Sequence, residues 1–236
     1  MPRKHLIAAS INKKQQQQSK ISLKCIREIK AAVKVGGPNP DANPRLKVAI
    51  ARALQNNLSR DTITRNINSN KDSESLKELY YEGYGPKGLA IIIKALTDNE
   101  QRTISNLRGY FSKLKGEISK PNSVMMLFNE YGQIILDKTN LDEDKILQLT
   151  LNYEIVDLIE DESAFELLTD KKDFLAVKEI FDSNPEYKIL DASIKYISSS
   201  LVDITEDDDK LLTRFIDSCE DDDDIQWVVT NVGNII

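Results

Sequence analysis

The sequence predicts an α+β fold, in which an N-terminal three-helix domain precedes two small split-βαβ, ferredoxin-like domains. Three observations lead there. Apolar residues recur at helical spacing until a polar, apolar-poor stretch at residues 66–75. Beyond it, short apolar runs of strand length alternate with helical segments. The final helix and strand lack partners of their own, so they are expected to complete the sheet begun near Tyr80, which makes the segment between them an insertion. At 236 residues the chain has ample material for such cores.

In the first helix Ile21, Cys25, Ile29 and Val33 repeat at i+4, widened by Leu23 and Ile26, and Gly36-Gly37 with Pro38 and Pro40 ends it. Residues 1–18, with a short glutamine run, read as a flexible basic arm. Asn43 followed by Pro44 marks the cap of a second helix, whose apolar face is Leu46, Ile50 and Leu54 with Ala49 and Ala53. Ser59 caps a third, with Ile63 and Ile67 inward. The second half reads as strands at 76–81 and 90–96, a helix at 99–115, and a strand at 123–129 that runs on to Leu136. A helix at 142–151, strands at 155–159 and 164–168, a helix at 171–182 and a strand at 194–198 follow. The chain closes with a helix at 207–219 and a strand at 225–231. The expected domains are 1–75, then 76–130 with 204–236, and an inserted 131–203.

The formal net charge of −6 hides an asymmetry, since residues 1–70 hold fourteen Lys or Arg against Glu28, Asp41 and Asp61, a balance of +11 that leaves −17 for the rest. A segment so basic attracts polyanions and releases their counterions. The alternative is that the basic and acidic parts attract one another. On the first reading Lys20, Lys24, Arg27, Lys30 and Lys34 form a phosphate-binding surface on the first helix. Arg45, Lys47, Arg52, Arg60 and Arg65 are second-tier contacts, and Lys13 and Lys14 act from the arm. Charge reversal at Lys24, Arg27 and Lys30 is expected to leave the fold intact.

Catalytic chemistry is not expected. His5 is the sole histidine, and Cys25 and Cys219 are the only cysteines and lie far apart, so neither a Ser-His or Cys-His pair nor a zinc site can be assembled. The run Glu220-Asp221-Asp222-Asp223-Asp224 lacks the alternating ligands and glycine of a calcium loop and reads as a solvated acidic turn. Gly83-Tyr84-Gly85-Pro86-Lys87-Gly88 is not a P-loop, because Lys87 leads into an apolar strand rather than a helix N-terminus. It reads as a hairpin turn that either presents Tyr81, Tyr84 and Lys87 to RNA or a partner, or packs its tyrosines in the core. No cofactor, metal or small-molecule substrate is expected. No apolar run approaches the ~20 residues of a membrane helix, and the start lacks a secretory apolar region, so a cytoplasmic protein is expected.

Several strings occur in one order: Gly36-Gly37-Pro38-Asn39-Pro40-Asp41-Ala42-Asn43-Pro44-Arg45-Leu46, Asn56-Asn57-Leu58-Ser59-Arg60-Asp61, Tyr81-Glu82-Gly83-Tyr84-Gly85-Pro86-Lys87-Gly88, Leu96-Thr97-Asp98-Asn99, Arg102-Thr103 and the acidic run before Ile225-Gln226. Together they resemble the YebC-type proteins, also called the DUF28 or "translational activator of cytochrome c oxidase" family. The resemblance implies the nested arrangement of the two α/β domains and a non-enzymatic regulator of gene expression that binds nucleic acid. Such proteins are described as ribosome-associated factors aiding elongation through proline-rich, stalling sequences, or as DNA-binding transcriptional regulators. The residues favour the ribosome, because no helix stands out with base-reading side chains. The chain departs from the family at its start, where Pro2-Arg3-Lys4-His5-Leu6 replaces a Gly-His-Ser-Lys-Trp-like string.

Overall fold

A computed structural model describes the backbone of residues 3–69 and 76–235, and side chains over 18–69 and 76–234. Most of the expected linker, 70–75, and the side chains of Lys13 and Lys14 lie outside the described residues. Cα packing divides the chain into two compact units, Met1–Met125 with Val202–Ile236, and Met126–Leu201.

The first unit opens with three helices, α1 (Arg3–Gly36), α2 (Pro44–Gln55) and α3 (Arg60–Asn68). The stretch expected as a flexible arm is therefore helical backbone from Arg3 onward; its lysines and glutamines are good helix formers and no breaker interrupts them. Cys25, Ile29 and Ala32 of α1 meet Leu46, Ala49 and Ala53 of α2, with Leu58 and Ile63, in one core. The apolar stripe expected on α1 overreaches, for Ile21 and Leu23 are 41% and 43% exposed. Farther from the corner, the Gln18 amide reaches the Asn56 carbonyl at the end of α2, at 2.7 Å.

The corner between α1 and α2 is organised by Asn43, which is 4% exposed. Its Oδ1 accepts from the Leu46 N–H at 3.0 Å, capping α2, while Nδ2 donates to the carbonyls of Ala32 at 2.8 Å and Gly37 at 2.9 Å. One amide thus starts one helix and finishes the other. Gly36 is required by this contact, since a Cβ there would lie 2.6 Å from Asn43 Cγ, and Gly37 turns the chain at φ +82°.

The same unit continues with β1 (Lys77–Tyr84), β2 (Ala90–Thr97), α4 (Glu100–Leu114) and β3 (Glu117–Ile118). The chain then leaves for the second unit: β4 (Phe128–Asp137), α5 (Glu143–Leu149), β5 (Ile155–Glu160), β6 (Ala164–Asp170), α6 (Phe174–Asp182) and β7 (Ile189–Ser198). It returns as β8 (Val202–Ile204), α7 (Glu206–Asp221), β9 (Ile225–Thr230) and β10 (Val232–Ile235). The first sheet has the order β3-β1-β2-β9, so β2-α4-β3 is a split β-α-β around β1, and β9 closes the sheet against β2. α4 and α7 cover one face, with Phe111 and Phe215 edge to face at 4.9 Å. The second unit is β-α-β-β-α-β with order β5-β6-β4-β7, the ferredoxin-like arrangement, around Ile134, Leu136, Phe165, Leu167, Phe174, Val177 and Phe181.

The predicted α+β class holds, and differences are local. The strand expected from 123 starts only at Phe128. The reason is Glu82, 5% exposed, whose carboxylate accepts from the backbone N–H of Asn122 and Val124, both at 2.6 Å, and of Met125 at 2.8 Å. Backbone held around a carboxylate is not available to a ladder. β3, β8 and β10 have two to four residues, too short to show a period.

The acidic run before β9 is not a solvated turn. Asp224 is 2% exposed and collects donors from across the unit. Arg102 Nη2 reaches Asp224 Oδ2 at 2.7 Å and Arg102 Nε at 3.1 Å, Thr103 Oγ1 donates at 3.1 Å, and Arg27 of α1 pairs with Oδ1. Arg27 also donates to the Leu96 carbonyl at 2.8 Å, and the Asp224 carbonyl accepts the Leu96 N–H at 2.8 Å. Asp224 therefore ties α1, the end of β2, the start of α4 and the turn into β9 together. Asn99 caps α4 through the Arg102 N–H, aiming Arg102 and Thr103 at this carboxylate.

Two outcomes follow from these joints. Asn43→Ala is expected to cost about 2 kcal/mol in urea unfolding, and Asn43→Asp as much, because a carboxylate there faces two carbonyl oxygens; a neutral Asn43→Asp would reduce the residue to a simple helix cap. Asp224→Ala should cost about 3 kcal/mol, since it takes the shared carboxylate from two guanidiniums and leaves Arg27 only the Leu96 carbonyl and Arg102 only Asp98. Burial pushes the Asp224 carboxyl up, but the bonds from Arg27 and Arg102 outweigh it and hold it below its ordinary value. Its stabilisation is thus complete above the unfolded carboxyl range near pH ~4 and is lost as pH falls through the depressed native value. Asp224→Asn should flatten that acid limb of a stability–pH curve, and an unchanged limb would remove the assignment.

Candidate nucleic-acid interface

Of the twelve cations expected to face phosphate, the structure sorts the ten whose side chains it describes into distinct groups. On α1, Lys20 Nζ pairs with Asp221 at 2.7 Å, Lys24 donates to the Glu220 carbonyl at 2.9 Å, and Arg27 is bound to Leu96 and Asp224. Burial lowers the Lys24 ammonium pKa, against the raising influence of Glu220, Asp222 and Asp223. Lys34 donates to the Leu76 carbonyl at 3.0 Å. Lys20, Lys24 and Arg27 thus dock the basic face of α1 onto the acidic turn before β9, and Lys34 holds the residue that precedes β1. The expectation that reversing Lys24, Arg27 and Lys30 spares the fold is corrected accordingly, because a carboxylate at position 27 would meet Asp224 in a buried site.

Arg45 of α2 is likewise occupied. It bridges Glu28 at 2.8 Å and Glu78 of β1 at 2.5 Å, and Lys94 of β2, whose side chain is 12% exposed, approaches the same two carboxylates at 3.4 and 3.6 Å. Burial lowers the Arg45 pKa but its two carboxylates raise it further, and Glu78 is held below its ordinary value by Arg45 and Lys94 despite burial. This alternating square of charges joins α1, α2 and the open face of the first sheet.

What remains lies mainly on α2 and α3. Lys47, Arg52, Arg60 and Arg65 are exposed, while Lys30 is half-buried on α1. Arg52, Arg60 and Arg65 form no ion pair among the described residues. Arg52 stands in the last turn of α2, and Arg60 and Arg65 in the first and last turns of α3. The two helices are joined by a short connection in which Asn57 takes φ 61° and Ser59 caps α3 through the Thr62 N–H. Arginines placed in this way on two short helices offer charge-assisted bonds to phosphate oxygens.

At the hairpin loop, of the two readings left open, core packing holds for Tyr81. Tyr81 is 9% exposed and belongs to the core under α4, because β1 alternation turns it to the helix side with Leu79. Its hydroxyl has no hydrogen-bond partner among the described residues. The Tyr84 hydroxyl donates to the Ser123 carbonyl at 2.9 Å, and of these three residues Lys87, at φ 57°, is the exposed one. Tyr80 instead meets Trp227 edge to face at 6.0 Å on the other side of the sheet.

Cys25 and Cys219 are both buried free thiols, and burial followed by the Asp222 charge pushes Cys219 up to about 12. Among the described residues no group of three or more His, Cys, Asp or Glu could hold a metal ion, and no helix is long and apolar enough to cross a membrane. Residue-by-residue reading missed the roles of Asp224, Arg102, Thr103 and Glu82, and of Asn43 it gave the cap of α2 but not the two bonds back to Ala32 and Gly37. Their signal was present in the quoted strings, where each stands in a rare local sequence beside a turn.

Comparison with known proteins agrees with this architecture. Residues 2–73 match the model of the TACO1/YebC protein N-terminal domain, and residues 76–232 that of the TACO1/YebC second and third domain. A probable transcriptional regulatory protein of Ureaplasma urealyticum serovar 10 is 60% identical over 98% of both chains. One so named in Malacoplasma penetrans is 50% identical over 100% of both. The crystal structure of a conserved hypothetical protein, Aq1575, from Aquifex aeolicus superposes with a TM-score of 0.81 at 31% identity, covering 93% of this chain and 92% of that one. With both family models matched in order along nearly its whole length, the chain belongs to the TACO1/YebC family.

Proposed function

We propose that this chain is a non-enzymatic, cytoplasmic regulator of gene expression that binds nucleic acid through α2 and α3 of its helical domain. The names of its relatives, probable transcriptional regulatory proteins, support the regulatory part. The observation that carries the binding surface is the sorting of cations: those of α1 are largely occupied by the protein's own carboxylates and backbone carbonyls, whereas Arg52, Arg60 and Arg65 are exposed without a carboxylate partner among the described residues. Lys47 and Lys87 flank this set in the sequence and are exposed as well.

The polyanion we favour is ribosomal RNA or tRNA, in a factor that aids elongation through stalling, proline-rich sequences. Isolated arginines on two short helices suit phosphates, which position a protein without reading sequence. A promoter-binding protein would instead carry several base-edge readers along one helix laid in the major groove. α3, with nine residues, offers Arg60, Arg65 and asparagines, and a large share of its surface faces the bundle core through Ile63 and Ile67.

Simultaneous Arg52→Glu, Arg60→Glu and Arg65→Glu should abolish co-sedimentation with ribosomes at low salt while leaving the urea midpoint within experimental error, because none of the three makes an ion pair among the described residues. Removing each arginine–phosphate bond should also reduce the salt slope of RNA binding by about one unit. Ribosome association that survives the triple variant sinks the surface. A DNA footprint that keeps its base preference at physiological salt, with no ribosome-bound fraction, overturns the translational reading in favour of transcriptional control.

A further inference from the structure

The sheet of the second unit ends in two strands with one neighbour each, β5 and β7. Their edges differ. On β5 the register shifts between Ile155 and Asp157, the Leu158 N–H is taken by Asp157 Oδ1 at 2.9 Å, and Asp157 and Glu160 are exposed. Irregularity and charge of this kind blunt an edge. β7 is ten residues long, contains no proline, and stays in unbroken register with β4 from Asp191 to Ser198. Leu190 is 41% and Ile194 36% exposed, and no strand pairs with its outer edge among the described residues. Such an edge presents a row of backbone donors and acceptors to another strand.

Its charges select the partner. Asp191, Ser193 and Lys195 are alternate residues on one face of the strand, and the Ser193 hydroxyl lies 3.5 Å from Asp191. Asp191 and Lys195 are exposed and form no ion pair among the described residues. They sit symmetrically about Ser193. An antiparallel copy related by a two-fold axis through Ser193 therefore sets Asp191 opposite Lys195 of the second copy, and Lys195 opposite its Asp191, with Ala192 facing Ile194. We infer that β7 is a self-complementary edge through which two copies of this chain pair antiparallel, joining their four-stranded sheets into one of eight strands.

The register is specific. A slip of one residue turns both charge pairs into mismatches and moves each side chain to the wrong face of its neighbour. The register shift at Leu190 confines regular pairing to Asp191–Lys195, so the contact is short and the dimer concentration-dependent. Opposed charges directly across a ladder favour pairing and like charges oppose it. The interface is isologous, which closes the assembly at two and leaves no edge for a filament. This inference is independent of the nucleic-acid surface on α2 and α3, although a dimer would carry two such surfaces.

Sedimentation velocity over a concentration series, for the full chain and three variants, tests it. The unmodified chain should shift from monomer to dimer as concentration rises. Lys195→Asp and Asp191→Lys, each of which opposes like charges twice, should weaken the dimer about tenfold or more. The double swap, Asp191→Lys with Lys195→Asp, restores both opposite pairs and should recover it. Because both positions are exposed, unchanged circular dichroism is expected throughout. A chain that stays monomeric over the whole series overturns the inference, and so does a dimer indifferent to either single change or not recovered by the swap.

Discussion

A carboxylate taken almost wholly out of water must be met by donors, and in this protein that requirement falls on Asp224. Burying an ionised carboxyl without compensation would cost several kcal/mol. Arg27 of α1 and the adjacent Arg102 and Thr103 of α4 supply the compensation from two separate helices. Each donor is therefore constrained: Arg102 and Thr103 by the Asn99 cap that starts α4, Arg27 by the α1 core at Cys25 and Ile29, and Asp224 itself by the ladder of β9 against β2. An ion pair of this kind adds little net stability over a well-packed apolar contact. What it adds is direction, since only one placement of the helical domain on the sheet brings all three donors to one carboxylate. The square of Glu28, Arg45, Glu78 and Lys94 supplies a second fixed point on the same seam.

This arrangement changes the meaning of the charge asymmetry. A strongly basic first third and an acidic remainder suggest an external polyanion, yet a good part of the imbalance is spent internally, cation against anion across the seam. Lys20, Lys24 and Arg27 lie on one helical face because the acidic turn before β9 lies opposite them. The charge left for a partner is smaller and displaced to α2 and α3. Surface cations are better judged by what they already touch than by their number.

Much of the architecture was legible in the chain. The cap Asn43 with Pro44, the Ser59 cap and the i+4 stripe through Cys25 and Ile29 are local signals, and the helical domain follows them. The ferredoxin-like order of the second unit shows as alternation of apolar runs with amphipathic helices. The fate of individual polar residues was less legible, because it depends on contacts about 200 positions apart, as between Lys20 and Asp221. Four consecutive aspartates look alike in sequence, yet Asp221 is solvated, Asp222 accepts from Asn106 and Tyr110, and Asp224 is buried. Tyr81 and Tyr80 are equally ambiguous: a one-residue choice of strand phase decides which of them enters the core.

The clasp of Glu82 around residues 122–125 has a corollary for how this segment tolerates change. Every bond it accepts comes from main-chain N–H groups, so the side chains of Val124 and Met125 contribute nothing to that recognition. The segment can drift in composition while its path is preserved, subject to the burial of Val124 and to the left-handed φ of 65° at Asn122. Only proline, which has no N–H to give, is barred from all three positions. The information for the path of residues 122–125 is thus held by one glutamate some forty residues upstream rather than by the segment itself.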